Sequence, residues 1–104
     1  MKIVKVTYTT SLEYSLQNQY NIKDFMAELN GLDTAGINYS ACLSEDNKTV
    51  VHIAFFNSDA DQNLLIELPS FRYFQEQLKQ SGVEIPPKQE LLTLVGSSSN
   101  IFNC

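Results

Sequence analysis

His52 is the single imidazole in 104 residues, so a proton moved near neutral pH would most simply pass through it. It sits in the run Val50-Val51-His52-Ile53-Ala54-Phe55-Phe56, where Val50, Ala54 and Phe56 share its side of a strand. The same position suits a neutral strand residue bonded to a backbone group or hydroxyl, and hairpin pairing would set Ser40 or a near neighbour opposite it. Tyr8, Tyr39 and Asn18 are the companions that could line one cavity with His52. Two phenol hydroxyls and an amide can fix the polar end of an otherwise apolar ligand, although a tyrosine with one wet end is ordinary at any sheet edge. The chemistry expected is therefore acid or base work by His52, with ligand contact from Tyr8, Tyr39 and Asn18.

Other chemistries lack their residues. A metal site would need a second His or a carboxylate on the same strand beside His52, and the chain offers neither, so no metal is expected. Cys42 and Cys104 lack C-x-x-C spacing and read as reduced thiols, and nothing marks Cys42 as activated by His52 on the neighbouring strand. The glycines at 31, 36, 82 and 96 are scattered turn and cap residues, so no phosphate loop and no bound cofactor is indicated. A net charge of −5 repels phosphate backbones and anionic membrane surfaces, which argues against nucleic acid and membrane partners. Lys5 breaks the apolar start that a secretory signal needs, and no stretch reaches the roughly 18 apolar residues of a membrane span, so a cytoplasmic protein is expected.

The elements that must position these residues follow from periodicity. Lys2 to Thr10 alternates Val4, Val6 and Tyr8 against Lys5, Thr7 and Thr9, the pattern of a half-buried strand. Thr10 with Glu13 forms a capping-box pattern, and Ile22, Phe25, Met26 and Leu29 predict a long helix ending near Gly31. Extended backwards, its apolar stripe meets Asn18 and then Tyr14 and Ser15, a polar half-stripe where a pocket is expected to open. Gly36 to Leu43 and Thr49 to Asn57 predict two strands joined by the polar turn at 44–48. Ser58 with Asp61 starts a short helix, Pro69-Ser70 breaks it and caps another, and Phe71, Phe74 and Leu78 lie at helical spacing before Gly82. An extended connector through Pro86 and Pro87 leads to a last strand over Lys88 to Gly96, then a polar tail at 97–104.

The order β-α-β-β-α-β is the ferredoxin-like α+β arrangement, a four-stranded antiparallel sheet with helices on one face, in a single domain over 1–104. The third strand is apolar on both sides, with Val50, Ala54 and Phe56 on one and Val51, Ile53 and Phe55 on the other. A second copy of the chain would cover the open face, so a homodimer is expected. Phe55, Phe56, Phe71 and Phe74 read as core or dimer contacts because no basic residues are interleaved with them. Arg72, Lys79, Glu90 and the acidic group Asp59, Asp61 and Glu67 read as solvated surface.

On the element order, the strand Val50 to Phe56, the helix start Ser58-Asp59-Ala60-Asp61 and the step Leu68-Pro69-Ser70-Phe71 with Phe74, the chain resembles the dimeric α/β-barrel superfamily. That group includes antibiotic-biosynthesis-type monooxygenases and chlorite-dismutase-like proteins. The entry Pro86-Pro87-Lys88-Gln89-Glu90-Leu91-Leu92 is similar to that of a small bacterial subfamily. The resemblance implies a fold first, and in the monooxygenase branch oxygen chemistry without metal or flavin at a pocket of Asn, Trp and His. This chain has no Trp, no Asn in its first strand, and its one His in a strand instead of the second helix, so haem degradation is not implied.

Three readings follow. The first is a homodimeric α/β barrel with a small, mostly apolar pocket for a small organic molecule. The second makes that pocket a cofactor-independent monooxygenase or isomerase site. The third is a non-catalytic interaction module whose sheet edge or tail, through Ile101 and Phe102, docks another protein.

Overall fold

Alternation along the third strand is the feature around which the fold is built. In a computed structural model, which describes residues 1–102, every second residue of β3 (Thr49–Phe56) is buried: Val50, His52, Ala54 and Phe56. These face the helices, together with Val4 and Tyr8 of β1 (Lys2–Thr9). With β2 (Ile37–Leu43) and β4 (Ile85–Leu92) they form one antiparallel sheet of order β2-β3-β1-β4. The helices α1 (Leu12–Asn30), α2 (Asp59–Glu67) and α3 (Pro69–Gln80) supply the second layer, which makes the chain a ferredoxin-like α+β domain with its second helix split in two.

The split is a proline effect. Leu68 is extended, Pro69 takes the first turn of α3 where its missing N–H costs nothing, and no side chain caps that end. Ser70 instead donates from its N–H and Oγ to Glu28 Oε1 of α1, at 3.2 and 2.8 Å. Phe71, Phe74 and Leu78 of α3 are buried against Ile22, Phe25 and Leu29 of α1, as their spacing predicts. Gly82 has φ +74, the left-handed conformation that ends α3 after Ser81.

Two boundaries differ from expectation. The cap of α1 is Ser11, whose Oγ accepts from the Tyr14 N–H at 3.2 Å, and not Thr10. Thr10 still belongs to the sheet side of the junction, since its N–H donates to the Lys48 carbonyl at 2.9 Å. The last strand starts at Ile85 and ends at Leu92, so both prolines lie inside it and Leu94 and Val95 beyond it. Its register slips between Thr7 and Thr9, which pair with Lys88 and Ile85, leaving Pro86 and Pro87 opposite Tyr8 as a bulge. A strand at the sheet edge tolerates prolines that a central one would not.

The other side of the sheet carries Ile3, Val51, Ile53, Phe55 and Leu92. Val51, Ile53 and Phe55 are half-buried there, and Leu92 is exposed. Ile101 and Phe102 of the tail are half-buried, and Cys104 lies outside the described residues. No helix among the described residues is long and apolar enough to cross a membrane.

Candidate functional site

Sheet register brings the predicted residues together. His52 pairs with Val6 on one side and with Ala41 on the other, not with Ser40, which pairs with Ile53 and faces the opposite side of the sheet. Tyr8 and Tyr39 are then its diagonal neighbours on β1 and β2, within reach of a long aromatic side chain. The Tyr8 hydroxyl lies 2.8 Å from His52 Nε2 and the Tyr39 hydroxyl 2.7 Å from Nδ1. Asn18 completes the chain from α1, its Nδ2 donating to the Tyr8 hydroxyl at 2.9 Å. The four side chains form one connected line, Asn18 to Tyr8 to His52 to Tyr39.

Counting hydrogens fixes what this line can present. A neutral imidazole has one N–H and one lone pair, and each phenol has one O–H. If Asn18 donates to Tyr8, Tyr8 donates to Nε2, Nδ1–H donates to Tyr39, and the Tyr39 O–H is left over. Turning the Asn18 amide over reverses every bond, and Tyr39 is then left with a lone pair to offer. The same heavy-atom positions thus give Tyr39 a free donor or a free acceptor.

Burial sets the charge state. His52 is 3% exposed, and desolvation pushes its imidazole down to about 4, so the ring is neutral at pH 7. Burial also raises the Tyr8 and Tyr39 phenols above their ordinary range, with the Asn18 bond opposing the effect at Tyr8. Asn18 is wholly buried and its Oδ1 has no partner among the described residues, an uncompensated polar atom beside the line.

A cavity of about 440 Å³ opens over this line. Tyr8, His52 and Tyr39 form its polar floor, Phe71, Phe74 and Leu78 of α3 one wall, and Pro86 and Pro87 of the β4 bulge the facing one. Gln75 and Lys79 of α3 are further polar residues of the lining. A second space of about 150 Å³ shares Tyr39, His52, Phe71 and Gln75 with it and runs on toward Ala54 and Leu65. The volume suits a small organic molecule held by apolar walls and a few polar groups.

The cavity does not open at the polar half-stripe of α1, where it was expected. Ser15 there donates to the Asn47 carbonyl of the hairpin turn at 2.5 Å, and Asn21 bonds Tyr14 and Gln17. Only Asn18 joins the site, and it does so from behind Tyr8, outside the cavity lining. Of the phenylalanines read as core or dimer contacts, Phe71 and Phe74 are both core and cavity wall, Phe56 is core, and Phe55 is half-buried on the other face of the sheet. Lys79, read as solvated, and the two prolines escaped the sequence argument, although Gln75 and Lys79 lie four apart on α3, beside the Phe71, Phe74 and Leu78 stripe. Cys42 pairs with Val51 and so faces away from His52, which removes a thiol and imidazole pair. Among the described residues no group of three or more His, Cys, Asp or Glu side chains could hold a metal ion.

Removing single hydroxyls should rank the links of the line. Tyr39→Phe should cost about 1 kcal/mol, because it leaves one buried group, Nδ1, unpaired, whereas Tyr8→Phe leaves two, Nε2 and the Asn18 amide, and should cost about 2 kcal/mol. Urea unfolding of both variants checks the order, and equal losses would contradict it.

Fold and site together define a ferredoxin-like α+β domain with a polar-floored pocket between sheet and helices, a fold it shares with solved structures of antibiotic biosynthesis monooxygenases. The chain superposes on an antibiotic biosynthesis monooxygenase with a TM-score of 0.78 at 10% identity, covering 92% of this chain and 100% of the other. Rv0793 from Mycobacterium tuberculosis gives 0.76 at 13% identity over 94% and 98% of the two chains. PA3566 from Pseudomonas aeruginosa gives 0.74 at 14% identity over 91% and 94%. At such identities the likeness is one of fold. No family model matches the chain, and no curated protein matches it.

Proposed function

We propose that the protein is a cytoplasmic homodimer whose cavity binds a small, mostly apolar organic molecule, with one hydrogen-bonding group of that molecule set against Tyr39. The observation that carries this reading is the buried imidazole bonded at both nitrogens by tyrosine hydroxyls on the floor of an otherwise apolar cavity. A polar line of this kind is costly to bury unless fully connected, and here it ends on an atom that can face a ligand. His52 is the only imidazole, so its ring resonances report cavity occupancy without assignment. Adding 1-naphthamide should move them saturably, and no movement at millimolar concentration would sink the proposal.

The hydrogen-bonded line also supports the catalytic alternative, a cofactor-independent monooxygenase or isomerase. An imidazole held near 4 is a poor charged acid at neutral pH, so in that reading Tyr39 gives its proton to the substrate and takes one from His52 Nδ1 while Nε2 takes the Tyr8 proton. Tyr8 is left as a phenolate held by the Asn18 amide until the proton returns from the product. Tyr39→Phe would then stop turnover while 1-naphthamide still bound; unchanged turnover would remove the line from the mechanism.

The dimer rests on the open sheet face. Val51, Ile53 and Phe55, half-buried, and exposed Leu92 leave apolar surface on this face that a second sheet would cover, with Lys5 and Glu90 beside Ile53. Sedimentation should give twice the 11.7 kDa protomer mass. Ile53→Asp should return it to the single mass with the His52 resonances unchanged, and a wild-type monomer would refute the pairing.

A further inference from the structure

We propose that Lys79 makes the cavity selective for organic acids, its ammonium meeting a carboxylate while the apolar body of the ligand lies inward. This deepens the reading of the cavity as a ligand site and rests on it. The chain carries a net charge of −5, yet the one charged residue lining the cavity is a cation. The polar floor holds only hydroxyls and a neutral imidazole, which can bond a carbonyl or hydroxyl but cannot neutralise an anion. An anionic group therefore belongs away from the floor, at exposed Lys79.

Lys79 is also uncommitted. Lys48 pairs with Glu84 at 2.7 Å, Lys88 lies 3.9 Å from Glu90, and Lys2 donates to Gln62, whereas Lys79, like Lys5 and Lys23 away from the cavity, has no ion-pair or hydrogen-bond partner among the described residues. A lysine in the last turn of a helix ordinarily complements the terminal carbonyls. Here the Ser81 N–H reaches the Gln77 and Leu78 carbonyls, and the Ser81 hydroxyl donates to Leu78 as well. Leu78 and Phe74 beside it give the aromatic or aliphatic body its wall.

The test compares 1-naphthoate with 1-naphthamide, which share a ring body and differ in charge, each titrated against the His52 ring resonances. Wild type should bind the naphthoate about 1.5- to fivefold more tightly, the range an exposed ion pair supplies, and added salt should narrow the gap. In Lys79→Gln the two affinities should become equal while that for the naphthamide stays within about twofold. A wild-type protein without the preference, or a Lys79→Gln variant that keeps it, would overturn the assignment and leave the cavity reading standing. If neither compound moves the His52 resonances, both fall.

Discussion

Phe25→Ala should remove about 3–5 kcal/mol of stability, the range for emptying a fully buried aromatic site. Phe25 is 0% exposed and its ring meets Tyr39 and Phe71 edge-on at 5.3 and 5.0 Å, with Phe74 tilted at 5.1 Å. It also stacks over His52 at 6.4 Å, so one side chain of α1 joins core to site. A domain of this size holds roughly 5–15 kcal/mol in total, so the loss is a large share. At about 4–8 °C per kcal/mol, the melting temperature should fall by some 12–40 °C, with Phe25→Leu losing about a third as much. A thermal scan decides it: a fall of a few degrees would mean that the layers collapse around the gap and that the ring organises less than its contacts imply.

The second large effect is a loss of stability in acid. An unfolded chain's imidazole takes up a proton near 6.5, whereas His52 in the fold resists until about 4. Between these values the unfolded state binds more protons, so its contribution is fully present above pH 6.5, declines below it, and is gone below about pH 4. The gap corresponds to about 3 kcal/mol. Urea unfolding at pH 7.5 and 4.5 should therefore show wild type losing about 2–3 kcal/mol more than His52→Gln, with the carboxylates common to both cancelling. Equal losses would show that the ring protonates inside the fold without penalty.

Much of the architecture was legible because strand and helix periods are local. Val50 to Phe56 announced a strand apolar on both sides with Val50, Ala54 and Phe56 turned to the helices, and Phe71, Phe74 and Leu78 a helix with one buried face. The grouping of Tyr8, Tyr39 and His52 was legible for the same reason, since alternation alone puts all three on the inner face. Register was not: a slip of one residue separates Ser40 from Ala41, and only long-range pairing decides it. Helix boundaries failed where a residue had two partners to choose from, as when Thr10 kept its bond to Lys48 and passed the cap to Ser11. The cavity walls were the least visible part. Lys79 meets Pro86 and Pro87 around one space only because Gly82 turns the chain back, and nothing periodic records that.

The bulge in β4 has a consequence for how copies of this protein can meet. A sheet edge normally offers a row of N–H and C=O groups on which another chain can add a strand. Pro86 and Pro87 sit in this edge, so a strand arriving there finds two successive residues without donors and a kinked backbone. Growth of the sheet by edge addition, the route to fibrous aggregates, is blunted on this side by the same two residues that wall the cavity.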